Sequence, residues 1–174
     1  ETGRRPWRPG RTYAGELTEL VKALGARLGV TVGALLAEVP HSRPTPVVGS
    51  AEQPDLVPGF VLQRSTYEGP TGIVGVLHDA LRRAGVPSAS LWATVPSYVP
   101  GAPSPKAALA LVERITDLLH TTIVTTDLEI AAASYERQVT ELVEADEETS
   151  SYVAGLEERH DREPAPEVIP DAES

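Results

Sequence analysis

The sequence predicts an α/β layered fold, a mostly parallel sheet covered by helices on both sides, followed by a helical appendage. Three observations lead there. Short apolar runs alternate with helical stripes from Leu17 to Leu119, the pattern of strand–helix units. Ser90 to Val95 is strongly apolar and lies between two such stripes. After Thr126 the helical pattern continues alone, in a much more acidic stretch.

The elements follow in order. Residues 1–13 hold four arginines, two prolines and Trp7 without a period, an irregular lead-in. Leu17, Leu20, Val21, Leu24 and Leu28 mark an amphipathic helix that Gly29 ends. Val30 to Leu36 has the near-continuous apolar character of a strand buried on both faces. In Val39-Pro-His-Ser-Arg-Pro44 the prolines hold the backbone extended and place His41 and Arg43 in a loop. Pro46 to Ser50 is a second strand, and Phe60 to Gln63 a short third.

After the loop Tyr67–Gly72, the stripe Ile73, Val76, Leu77, Ala80, Leu81 and Ala84 predicts a helix that stops at Gly85 and Pro87. Ser90 to Val95 is the central strand. Ser104 and Pro105 cap and open the next helix, with Ala108, Leu111, Val112, Ile115, Leu118 and Leu119 on its apolar face. Thr126-x-x-Glu129 has the form of a capping box. Leu128, Ala131, Tyr135, Val139 and Leu142 then form a narrow apolar seam on a charged rod, with a break near Asp146. The parts are an α/β domain over 1–126, an acidic helical appendage over 127–162 and a disordered end over 163–174.

Composition narrows the function classes. The net charge is −10. Residues 1–126 carry 12 Lys/Arg against 10 Asp/Glu, whereas 127–174 carry 3 against 15. Such a tail repels nucleic acid, and no basic aromatic-bearing surface is present elsewhere. The absence of cysteine excludes disulfides and thiolate metal sites, and a cytoplasmic setting is expected. No apolar run is long enough to cross a membrane. The lack of methionine and the small number of strands lead to the expectation that further strands lie upstream.

The candidate binding residues sit in loops next to strand ends, where open α/β folds place ligand crevices. His41 and Arg43 suit a phosphate or carboxylate, and can equally pin their loop to backbone carbonyls. Thr71 and Gly72, at a helix start within Gly69-Pro-Thr-Gly-Ile-Val-Gly75, offer free N–H groups to an anion, or belong to a tight turn with a glycine that lets helix and sheet approach. Tyr67 and Glu68 flank that turn, Glu68 as a base or a helix cap. Tyr98 lies after the central strand. Lys106 stands in the first turn of a helix, where a cation is disfavoured, which suggests a specific job: binding an acidic group, or a salt bridge within a subunit interface. His78 and Asp79 are adjacent on a helix and do not face each other. The histidines are dispersed and no serine elbow is present, so no catalytic residue, metal or cofactor is expected.

Pro40-His-Ser-Arg-Pro44, Tyr67-Glu-Gly-Pro-Thr-Gly-Ile73, Ser90-Leu-Trp-Ala-Thr-Val-Pro-Ser-Tyr-Val99 and Pro105-Lys-Ala-Ala-Leu-Ala-Leu111 together resemble the bacterial, actinobacterial-type branch of the proteasome assembly chaperone family, second-subunit type. Tyr135-Glu-Arg-Gln-Val139 and Tyr152-Val-x-x-Leu-Glu157 resemble its C-terminal helices. The resemblance implies a three-layer α/β/α domain similar to nucleoside phosphorylases and related hydrolases, of which this chain is the later part. It implies action by protein–protein interaction with proteasome subunits as partners, while the narrow seam on the acidic rod, which can also fold back on its own sheet, leads to the expectation of a homo-oligomer. The alternative is an anion- or nucleotide-binding protein or enzyme of phosphorylase-like fold. Ser97 stands where relatives often have His, and Ser42 where they have Thr, which weakens an enzymatic reading of those loops.

Overall fold

The structure is a computed structural model that describes residues 9–51, 63–64 and 72–162. It is a mixed α/β protein. Its elements are α1 (Pro9–Ala23), β1 (Gly29–Ala37), β2 (Val47–Ala51), β3 (Gln63–Arg64), α2 (Ile73–Arg83), β4 (Ser88–Pro96), α3 (Pro105–Leu119), α4 (Thr126–Glu144) and α5 (Glu147–Arg162). The strands form one sheet in the order β1-β4-β2-β3. β2 and β3 run parallel, with Ser50 opposite Gln63 and Ala51 opposite Arg64. The chain divides into two compact units, Glu1–Gly33 with Val47–Trp92, and Ala34–Pro46 with Ala93–Ser174.

β4 is an inner strand, as its apolar run predicts. Ala89, Ser90, Leu91, Ala93 and Thr94 are all buried along it. β1 departs from expectation. It stands at the end of the strand order, and Val32, Leu35 and Leu36 are exposed rather than buried on both faces. An apolar run of strand-forming residues specifies a strand without specifying how many neighbours cover it.

In the first unit α1 packs against α2. α1 ends earlier than its leucine stripe suggests, at Ala23. Gly25 adopts a φ of +63°, the Gly25 N–H donates to the Lys22 carbonyl and the Ala26 N–H to that of Val21. This is a glycine-terminated helix end, so Leu28 lies beyond the helix and Gly29 opens β1. α2 ends in the same manner at Gly85, whose φ is +75°. His78 on α2 bonds Ser88 Oγ through Nδ1 at 2.6 Å. Its Nε2 lies 2.9 Å from Ser90 Oγ and 3.0 Å from Thr31 Oγ1. Those contacts tie the helix to both long strands. Asp79 pairs with Arg82 and Arg83 on its own helix. Gly33 leaves room for an aromatic ring: a methyl group there would sit 2.5 Å from Cζ3 of Trp92.

In the second unit α3 packs on α4, and α4 on α5. Ser104 caps α3 by accepting the Ala107 N–H at 3.2 Å. α3 ends on His120, a non-glycine residue at φ +47°. The cap of α4 is Thr125, one residue before the expected Thr126, and its hydroxyl reaches Glu129 Oε1 at 2.6 Å. The break near Asp146 is present. Asp146 accepts from the Thr149 N–H at 2.9 Å and from the Thr149 hydroxyl at 2.5 Å, an N-terminal cap for α5. The Thr149 hydrogen bonds hold the Asp146 carboxyl below its ordinary pKa.

The seam on α4 is displaced from the expected one at its ends. Ala132, Tyr135, Val139 and Val143 are buried, while Leu142 is 66% exposed. Tyr135, Val139, Val143 and Val153 form an apolar cluster on which Tyr98 and Val99 pack. Spacings of three and four are satisfied by either neighbouring register of apolar residues, and the choice falls to the surface the helix meets.

Candidate functional site

The second unit brings together four of the eight expected binding residues. The turn after β1 carries His41 and Arg43, the turn after β4 carries Tyr98, and the first turn of α3 carries Lys106. Gly72 belongs to the first unit, where it caps α2 with extended backbone and accepts the Val76 N–H at 3.1 Å. Tyr67, Glu68 and Thr71 lie outside the described residues.

His41 is 5% exposed and is the hub. Its backbone N–H donates to the Tyr98 hydroxyl oxygen at 2.8 Å, and its Nδ1 lies 2.8 Å from the same oxygen. Nε2 lies 3.0 Å from Thr140 Oγ1, and the Thr140 hydroxyl donates to the Glu136 carbonyl at 2.9 Å. One proton arrangement satisfies every group. Tyr98 Oη accepts the His41 N–H and, facing a neutral ring protonated on Nε2, gives its hydrogen to Nδ1. Since Thr140 donates to Glu136, its oxygen accepts from Nε2–H. His41 is therefore the neutral Nε2–H tautomer. Burial, which penalises the cation, holds its pKa below the ordinary 6.5, with Lys106 acting in the same direction and Glu136 and Glu157 opposing. Burial likewise pushes the Tyr98 hydroxyl up to about 12. Both shifts favour the uncharged forms of the two groups.

Cations and carboxylates complete the arrangement. Lys106 Nζ donates to the His41 carbonyl at 2.5 Å and pairs with Glu136, the acidic partner that its awkward place in the helix anticipates. Ser42 donates to Glu157. Arg43 grips Asp161 with both arms, Nε to Oδ1 and Nη2 to Oδ2 at 2.9 Å each, and its Nη1 lies 3.6 Å from Glu157. The Asp161 hydrogen bond raises the Arg43 pKa, and Arg43 lowers that of Asp161. Tyr98 meets His41 edge to face at 5.9 Å and Tyr152 at 6.1 Å.

The turn 40–43 is thus held to α3, α4 and α5 at once. The cavity between Pro40, His41, Lys106 and Tyr135 measures about 10 Å³, the space of a single water. Arg43 spends its fork on Asp161, so the anion that its position next to His41 suggests meets an occupied guanidinium. Sequence reasoning missed Glu136, Thr140, Glu157 and Asp161. Their signal is spacing: each pair stands four apart, on one helix face, and Glu136 and Thr140 each follow a buried seam residue by one position.

Among the described residues no group of three or more histidines or carboxylates is arranged to hold a metal. No described helix is long and apolar enough to cross a membrane.

The PAC2 family matches residues 2–143, and the chain belongs to it. The crystal structure of a PAC2 family protein from Streptomyces avermitilis superposes with a TM-score of 0.75 at 43% identity, covering 87% of this chain and 63% of its own. A proteasome-assembly chaperone homologue from Mycobacterium tuberculosis gives 0.72 at 42% identity, with coverages of 84% and 62%. A Pyrococcus furiosus homologue of proteasome-assembly chaperone, 22% identical with a TM-score of 0.58, shares the fold. The chain spans somewhat less than two thirds of the length of the two bacterial structures. No curated protein matches it.

Proposed function

We propose that this chain acts as a proteasome-assembly-chaperone-like protein, by protein–protein interaction and without a chemical step of its own. The observation that carries the reading is the use of His41, Arg43, Tyr98 and Lys106: each is committed to partners in its own unit. Functional groups saturated this way build a rigid scaffold and leave little for a substrate. Membership of the PAC2 family and the 42% identity to a proteasome-assembly chaperone homologue support proteasome subunits as the partner class.

The proposal extends to a cytoplasmic homo-oligomer whose whole length forms a three-layer, phosphorylase-like domain. The outer face of α4 supports self-association, since Ile130 and Leu142 are 64% and 66% exposed, and closed oligomers are the common way to cover such surface. Capture of purified proteasome α-subunits by the tagged protein tests the function, and light scattering on the same sample tests the oligomer. A chain that captures no α-subunit loses the chaperone reading. A monomer at every concentration loses the oligomer.

A further inference from the structure

The connection between α3 and α4 is a second surface, separate from the interlocked turn. It contains five β-branched residues in succession, Thr121-Thr-Ile-Val-Thr125, in neither helix nor strand. Val124 is 89% exposed, the highest value for a large apolar residue among those described, and Ile123 is 52% exposed. The Thr121 N–H returns to the Thr116 carbonyl and the Thr125 carbonyl receives the Glu129 N–H. Between them, Thr122, Ile123 and Val124 have no backbone hydrogen-bond partner among the described residues. This is strand-forming sequence without a sheet.

Beside it lies an open cleft of about 290 Å³, walled by Val112, Ile123, Val124 and Leu128 with Asp127 among its lining residues. That is at the lower limit of small-molecule pockets, which run about 300–1,000 Å³, and it has the breadth for an inserted apolar side chain. Asp127 lines the cleft, and the sequence on either side of it is mainly acidic. Glu113, Asp117, Asp127 and Glu129 stand in the stretch 113–129 against Arg114 alone.

We propose that this connection docks an extended segment of a partner protein carrying apolar side chains flanked by lysine or arginine. The backbone groups of Thr122 to Val124 pair with the partner's, as in strand addition. An apolar side chain enters the cleft, and the flanking cation faces Asp127 and its acidic neighbours. A second copy of this chain would bring the same carboxylates and be repelled, so charge selects a basic partner. The proposal rests on the reading above that the chain works by binding proteins, and gives that reading a surface.

The test uses the isotope-labelled chain and a capped peptide Lys-Val-Lys-Val-Thr-Val-Lys, with a version carrying glutamate for lysine as control. Amide shifts are expected to cluster at Val112 and at 121–128. Binding should weaken at least tenfold in Val124→Asp and severalfold between about 50 and 300 mM salt. Val124→Asp lies at an exposed position, and an unchanged thermal midpoint verifies that it folds. Shifts that avoid 121–128, equal binding of the acidic peptide, or concentration-dependent shifts at 121–128 without peptide would each overturn the proposal. Undiminished α-subunit capture by Val124→Asp would also overturn it. Peptide binding at 121–128 with no α-subunit capture by the unmodified chain supports the surface and removes only the chaperone reading.

Discussion

His41 shows how a residue with a suggestive chemistry becomes structural. Its neighbours in sequence, two prolines and an arginine, announce an ordered loop, but its hydrogen-bond partners lie 57 and 99 positions away. Distances of that kind are set by packing and are not visible in local sequence. Tyr98→Phe removes the acceptor of the His41 N–H and the donor to Nδ1. It should cost about 1–3 kcal/mol, the desolvation penalty of groups left unpaired, measured as a shift in denaturant midpoint at constant m-value.

The pH dependence follows from the same groups. The His41 pKa is lowered on folding, so the unfolded chain binds the extra proton. Stability is complete above the ordinary 6.5 and falls as the pH drops below it. Asp161, also lowered, adds a small loss at more acid pH. Tyr98 acts at the other end: its stabilisation is complete below the ordinary 10 and is lost as pH rises through about 12. Thermal midpoints that rise on acidification from pH 7 to 5 would contradict the arrangement.

His120 offers the opposite sign. It holds a left-handed φ of +47° to let its N–H and that of Thr121 close the end of α3. Glycine adopts that conformation without strain, so His120→Gly should stabilise the protein by about 1 kcal/mol.

Among the helices, capping signals were informative. Ser104-Pro105 opens α3 at its expected position, and Gly85 closes α2. Where two adjacent apolar residues compete for one face, periodicity could not decide. On α4 the choice between Leu142 and Val143 went to Val143, because that position points into the cluster with Tyr135, Val139 and Val153. On α1 the leucine stripe ran on past a glycine that had already ended the helix. The register of α4 and α5 has a direct consequence. Leu156, 2% exposed, should cost about 2–5 kcal/mol when cut to alanine, whereas Leu142→Ala should stay within about 0.5 kcal/mol. Comparable losses from the two would mean that α4 presents a different face. Arg43→Ala, which breaks a solvent-screened grip on α5, should lower the thermal midpoint only slightly, and less again in high salt.

For the molecule as a whole, the α/β class and the family could be read from ordered motifs spread over most of the chain, because strand–helix alternation and loop residues recur in the same order. The meaning of those loops could not. A histidine beside an arginine is equally a ligand site and a clamp until the opposing carboxylates are placed, and Glu157 and Asp161 stand more than a hundred residues further on. Self-association is expected to follow the exposed face of α4: Ile130→Glu with Leu142→Glu should shift light scattering to a smaller mass while leaving the thermal midpoint unchanged. An unchanged mass would place the contact elsewhere.

The close approach of Trp92 to the backbone of Gly33 gives the first unit an optical label of its own. The chain has two tryptophans, and Trp7 is the other. In a Trp7→Phe variant the remaining indole is half covered and rests on a glycine in the neighbouring strand. Its fluorescence then reports whether β1 and β4 are still paired at that point. Separation of the two strands exposes the ring and moves its emission to the red, so unfolding of this unit can be followed in a cuvette independently of the helices that carry the rest of the chain.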